Sequence, residues 1–466
     1  MYDDRHRPTL TGLLRIMLLA IAAVGLATPA LADRVDHFDE LAKDLQLKRS
    51  KNTGKGMPSI RGPFPDTEGL EFLGQLTNAE LGASKLVFTG ASFLSDIWGW
   101  TSSSGDEYAI VGTSSGVAFV CVNDPTAPRF LGLVPTTNPN TLRNFWWDIK
   151  TFQNYAYWTT EVNGAGVAIF DLTRLDCLSE VPPGTLLKED ARYDEGGYIR
   201  AHNISINEDT GYAYLTGVSK DPLVDSGFTD DGVVILDLNN DPLRPEEVGQ
   251  IRGIDSHDAQ IVTYHGPDDR YTGREIAFVF NGSDLEVGIY DVTEKDNIFG
   301  IHKFTHPGAS FTHQGWLTDD HRFLVVGDEE DELFGISDPR NPDLPDTART
   351  YFFDLRLLPS PNFVGFFDSP AASIDHNLFV KGDYVYQANY TAGVRVLDIS
   401  DLAIDVNMVS EIAHMDTEPR LPNKNMNHNI NIFIGPWGVF PFFKSGTIAA
   451  SDGINGLILM KLKQFP

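Results

Sequence analysis

From Gly393 the chain reads GVRVLDIS, with apolar residues on alternate positions between a leading glycine and a closing aspartate. That period-two alternation predicts a half-buried strand, with the aspartate where a turn begins. The pattern recurs as GVAFVCVND from Gly116, GVAIFDL from Gly166, GVVILDL from Gly232, EVGIYDV from Glu286, TYFFDL from Thr350 and GLILMKL from Gly456. Aligned on the aspartate slot, the seven copies fall at Cys121, Asp171, Asp237, Asp291, Asp354, Asp398 and Lys461, separated by 50, 66, 54, 63, 44 and 63 residues. Strand-rich repeats of about 40–50 residues indicate four-stranded blades around a central channel, and insertions account for the longer gaps. The expected fold class is all-β, a seven-bladed β-propeller.

A second pattern marks the outermost strand of a blade: RFLGL from Arg129, EVGQI from Glu247 and NFVGF from Asn362. EFLGQL from Glu71 matches it and has no blade of its own, while the last repeat, ending at Leu462, lacks a fourth strand. The N-terminal strand is therefore expected to complete the last blade and remove the exposed edge of an open array. This assigns residues 70–466 to the propeller and 33–69 to an N-terminal segment, weakly helical over Arg34–Arg49 and linker-like over Ser50–Gly69.

Residues 1–32 read as a signal peptide: Arg5, Arg7 and Arg15, an apolar run from Ile16 to Ala27, then the cleavage-site pattern Ala30, Leu31, Ala32. The run is short for a bilayer span, and no other stretch is long enough. Its removal takes three arginines and two aspartates, moving the formal charge from −29 to −30. So acidic a surface argues against nucleic-acid or anionic-lipid partners. A periplasmic or secreted protein with no membrane span is expected, monomeric because a closed propeller needs no partner to fold. The two cysteines, Cys121 and Cys177, fall near strand ends of adjacent blades; a disulfide in an oxidising compartment and two buried thiols are both open.

The start of each innermost strand carries the chemistry. Upstream of the repeats lie SDIWGW with Asp96, WDIK with Asp148, AHNI with His202, SHDAQ with His257, THQGW with His313 and DHNL with His376. The last blade offers either NHNI with His428 or PWGVF from Pro436. Innermost strands begin near one mouth of the channel, so these side chains are expected to converge on the axis. Imidazoles so placed suit a divalent transition metal, iron, zinc or manganese, with carboxylates as outer acceptors for the second ring nitrogen. The alternative is that each histidine bonds to backbone of the next blade and holds the ring closed.

Loops opening on the same face hold Glu161, Asp328, Glu329 and Asn389; with Asp148, the carboxylates Glu161 and Asp328 are candidate general acids or bases. The Asp221–Asp231 insertion, with Asp225 and Asp230 between, is a weaker calcium candidate because it lacks the ordered spacing of a calcium loop. GTSSG from Gly112 matches the nucleophile-elbow pattern, but a strand follows it where a helix is needed, so it reads as a hairpin turn. Trp98, Trp100, Trp146, Trp147, Trp316 and Trp437 flank the innermost-strand starts and serve blade packing or a stacking surface for a sugar or other flat ligand.

SDIWGW, WDIK, AHNI with INEDTGYAY, SHDAQ, THQGW with LTDDHR, and DHNLFVKGDYVYQANYTAGVRVLDISD together resemble the exported bacterial choice-of-anchor B family, built of LVIVD repeats, over residues 70–464. The resemblance implies the propeller and export, and carries no reaction with it. This chain departs from anchored members in having no sorting signal after Lys461, which implies a soluble form. One histidine per blade is also similar, in arrangement alone, to carotenoid cleavage oxygenases, propellers that hold iron on four histidines; fold analogy does not transfer function. Two readings follow: a non-catalytic propeller binding an extracytoplasmic protein or glycan, and a metal-dependent oxygenase, hydrolase or lyase using His202, His257, His313, His376 and His428.

Overall fold

The computed structural model describes residues 59–85, 92–137, 146–178, 181–182, 184–228, 231–332, 347–419 and 433–463. They form seven antiparallel sheets arranged in a ring. The innermost strands are, in order, Leu94–Thr101, Trp147–Phe152, Asn203–Asn207, Asp258–Thr263, Thr312–Leu317, Leu378–Lys381 and Pro436–Phe440. Each packs against the next, and the seventh returns to the first. The seventh blade therefore begins at PWGVF; the alternative start at His428 lies outside the described residues. Among the described residues no helix is long and apolar enough to cross a membrane.

Alternation builds the core by sending successive residues to different neighbours. In the first blade, Glu107–Thr113 and Gly116–Cys121 are buried throughout because both faces of the sheet are covered. Ile110 and Phe119 join Ile149, Trp158 and Phe170 of the second blade, while Ala109, Val111, Ala118 and Val120 join Leu457 and Leu459 of the seventh.

The repeat glycine and aspartate each have a specific task. A Cβ on Gly116, Gly393 or Gly456 would lie 2.0 to 2.1 Å from a carbonyl oxygen at the end of the outer strand, Val134, Met415 or Leu76, and all three glycines have positive φ. At the other end, Asp171, Asp237, Asp291, Asp354 and Asp398 each accept the amide two residues on, an Asx turn that ends the strand. Where the acid is missing at Cys121, the slot instead carries a disulfide to Cys177, tying the first blade to the loop after the third strand of the second. The glycines of the outer-strand pattern, Gly74, Gly132, Gly249 and Gly365, all sit at β-bulges, and GTSSG is the hairpin turn between two first-blade strands.

Leu70–Leu76 is the outer strand of the seventh blade, paired antiparallel with Gly456–Leu462 from Leu70↔Leu462 to Leu76↔Leu457. Residues 59–69, expected as linker, also lie on the propeller. Thr67–Glu68 pairs with the outer strand of the sixth blade, Ser59 Oγ donates to the Ile454 carbonyl, and Phe64 is buried. The polar composition misleads because these contacts are made chiefly by backbone and short hydroxyls. The weakly helical segment and the signal sequence lie outside the described residues.

Removing the chain up to Leu76 should therefore unclasp the last blade. Loss of buried Phe64 and Leu70 alone sets a cost of about 5 kcal/mol or more, and limited proteolysis of the truncated protein should cut first within Thr447–Leu462.

Candidate functional site

Side chains of the innermost strands reach across each junction to backbone of the next blade. Asp96 Oδ2 accepts the Ile149 amide at 2.8 Å, and Asp148 Oδ2 accepts the Ile204 amide at 2.7 Å. Asn203 Nδ2 donates to the His257 carbonyl at 3.1 Å, and Ser205 Oγ donates to the Ala259 carbonyl. Gln260 accepts from the Leu317 amide at 2.7 Å and Gln314 from the Leu378 amide at 2.9 Å. His257 and His376 do the same through Nδ1, to the His313 carbonyl at 3.0 Å and the Trp437 carbonyl at 2.5 Å.

Those two bonds assign the Nδ1–H tautomer, which makes Nε2 the lone-pair nitrogen. The brace and the ligand readings of the histidines are thus compatible, because each uses a different nitrogen. The four rings form one continuous row: centroids are 4.4 Å apart for His202 and His257, 4.3 Å for His257 and His313, and 4.4 Å for His313 and His376. Trp437 continues the row 4.7 Å from His376. At its first end His202 Nδ1 lies 2.7 Å from Glu161 Oε1.

Two of the rings converge on one carboxylate. Glu329 Oε2 is 3.3 Å from His313 Nε2, and Oε1 is 3.6 Å from His376 Nε2. One ligand atom from each of the three residues lies within 4.8 Å of the other two, and all three side chains are buried. Tyr390 donates its hydroxyl to Glu329 Oε1 at 2.6 Å; burial, then the Glu329 charge, holds that phenol well above its usual range, so it stays a donor. The set opens on a cleft of about 490 Å³, part of it continuous with solvent, walled by Trp146, Phe311 and Trp437 and edged by Glu161 and Glu330.

Of the three candidate acids and bases, Glu161 alone lines that cleft. Asp148 lies on the inner side of the histidine row, its oxygens occupied by the Ile149 and Ile204 amides and by Lys150 Nζ at 2.5 Å. Burial opposes the Lys150 charge, but Asp148, Asp96 and Asp258 together raise its pKa. Asp328 is fully buried, accepts the amides of Ser310 and Phe311, and lies 3.2 Å from His306 Nε2. His428 lies outside the described residues. In the Asp221–Asp231 insertion, Asp221 accepts a turn amide and Asp225 pairs with Arg252 and Gln250, while Asp230 lies outside the described residues. Trp98 and Trp316 sit together with Phe379 and Phe442, away from the histidine cleft. Glu329 is the residue that sequence reasoning named without assigning a ligand role. Its position immediately after the second strand of the fifth blade was the available signal.

Asp452 ends the second strand of the seventh blade as Asp328 does in the fifth, and it accepts from Thr417 Oγ1 and the amides of Ile454 and Asn455. Burial raises its pKa to about 6 against those bonds. The native state therefore holds this proton more tightly than the unfolded chain, so the stabilisation is complete below the ordinary carboxylate pKa of 3.8 and lost as pH rises through 6. Urea unfolding should show Asp452→Asn losing about 2 kcal/mol less stability than the parent chain between pH 4.5 and 7.5.

No family model and no curated protein matches the chain. Among solved structures, that of U3-55K aligns at 11% identity over 86% of this chain and 100% of its own, with a TM-score of 0.51. The WD40 domain of Neurospora crassa Pan2 aligns at 12% identity over 88% and 99%, with a TM-score of 0.46. At such identities the likeness concerns architecture alone: this chain is a β-propeller.

Proposed function

We propose that this protein is an exported propeller that holds a divalent transition metal on His313, His376 and Glu329 and presents it to a small ligand in the aromatic-walled cleft. The observation that carries the proposal is the convergence of two Nε2 atoms on one buried carboxylate. Two imidazoles and a carboxylate with room for further ligands suit iron(II) first and manganese or zinc after it. The Trp437 carbonyl fixes His376 as an outer partner fixes a ligating histidine, and Tyr390 does so for Glu329. His257 and His202 extend the row and can orient a ligand in the cleft.

A bound metal would supply Lewis-acid or redox chemistry at this point. The chain's own contribution is positional. Asp148 is engaged in holding the ring and Asp328 in fixing the entry to its own blade's innermost strand, which leaves Glu161, through His202, as the proton-handling group at the cleft. Trp146, Phe311 and Trp437 exclude water and offer flat faces, which suits a sugar ring or another planar ligand. The basic, apolar and A-x-A segments at the N-terminus and the resemblance to choice-of-anchor B proteins support export. Binding of a glycan or protein without catalysis is the second reading, favoured by the bonds of His257 and His376 to next-blade backbone.

Cobalt(II) titration of the chelator-treated protein tests the proposal. One equivalent should develop visible d–d absorption, and Glu329→Gln should weaken cobalt binding about 10- to 100-fold while the fold is retained. Unchanged affinity in Glu329→Gln would favour the non-metal binding reading.

A further inference from the structure

A second group of acids lies beside the first in sequence but is chemically distinct. Asp331 and Glu332 follow Glu329 on the loop after Phe323–Asp328, and Asp375 precedes His376 at the start of the sixth blade. One carboxylate oxygen from each lies within 4.8 Å of the others. Asp331 and Glu332 are 0% exposed and Asp375 is 1% exposed.

Buried carboxylates are ordinarily answered by donors or cations. Here the answer is incomplete. Tyr351 donates to Asp331 Oδ2 at 2.6 Å, but among the described residues Asp331 is otherwise bonded only by the neighbouring Glu332 carboxyl, and neither oxygen of Asp375 receives a well-formed hydrogen bond. The nearby Asp328 amide offers Asp375 only weak compensation. Gly327 leaves the space into which the Asp375 carboxylate is pressed, since a Cβ there would stand 2.9 Å from Asp375 Oδ2. Arg349 is forked onto Asp368 and acts on Asp331 by its charge. Such a group of acids needs either shared protons or a cation.

We infer that Asp331, Glu332 and Asp375 form a second, all-oxygen site for a hard divalent cation, calcium foremost. The three oxygens lie within 4.8 Å of one another, close enough to share one cation, and calcium accepts such an all-carboxylate set in flexible geometry where magnesium demands a near-ideal octahedron and keeps its waters. The absence of imidazole separates this site from the histidine centre. Its position gives it a role: a cation here ties the loop carrying Glu329 to the segment carrying His376, and so sets the geometry of the first site without belonging to it.

Calcium binding to the full chain, stripped with EDTA, tests this by equilibrium dialysis with calcium-45 at pH 7.5. The expected result is one saturable calcium and a rise in Tm of about 3 °C at saturation. Asp375→Asn, shown to be folded by circular dichroism, should weaken binding at least tenfold; if it does not fold, Asp331→Asn should do so. His313→Ala with His376→Ala should keep calcium while losing cobalt, so failure of the histidine proposal leaves this one standing. Absence of saturable calcium in the parent chain would overturn the inference in favour of a proton-sharing cluster. Unchanged binding in the folded aspartate variants would overturn it by placing the calcium elsewhere.

Discussion

The hydrogen bond that crosses each junction at the channel wall is the constraint on which the rest depends. An innermost strand has its own ladder on one side only, so its free edge and its end face the channel. At six successive junctions the sequence answers with a side chain bonded to backbone of the next blade: Asp96, Asp148, Asn203 with Ser205, His257 with Gln260, Gln314, and His376. The seventh closes by packing, with Phe440 laid over Gly99, and by the bond from the Leu94 amide to the Gly453 carbonyl. Each such bond is worth only about 1 kcal/mol net, yet losing one partner strands a buried polar group at about 1–3 kcal/mol.

Histidine is suited to this wall because it has two nitrogens with separable duties. Aspartate used as a brace keeps no atom to spare: Asp148 spends its oxygens on the Ile149 and Ile204 amides and on Lys150. His257 and His376 brace through Nδ1 and keep Nε2 for the channel side. The row of rings spaced 4.3 to 4.4 Å apart follows from the fold itself, since consecutive blades place equivalent positions side by side. Glu329, brought from the adjoining loop and held by Tyr390, is the residue on which two rings of the row converge, and the proposed metal site rests on it. Asp148 illustrates the opposite outcome: the same slot, filled by an acid, is consumed by the ring.

The propeller was legible because its repeat residues answer fixed steric demands. A glycine must precede each third strand where the outer-strand carbonyl leaves no space, and an aspartate ends it by an Asx turn, so both recur visibly at Gly116, Gly393, Gly456 and the five aspartates. The histidine slot was legible for the same reason of register. Other features were not. DEEDE from Asp328 presents five consecutive acids, and only the path of the loop decides that Asp328 goes inward to the Ser310 and Phe311 amides while Glu329 meets the histidines. PWGVF and NHNI competed for the seventh blade because a two-residue motif around histidine weighs more in a pattern than a proline-led strand. The disulfide of Cys121 and Cys177 joins positions 56 residues apart, beyond what spacing alone can pair.

Crystals of the purified protein, with diffraction recorded on both sides of the iron, manganese and zinc absorption edges, test the central claim most directly. The account predicts one anomalous peak within about 2.3 Å of His313 Nε2, His376 Nε2 and a Glu329 oxygen, with the Nδ1 of His376 still on the Trp437 carbonyl. An anomalous map empty at that point, with Glu329 bonded directly to both imidazoles and the crystal grown in the presence of all three metals, would contradict it.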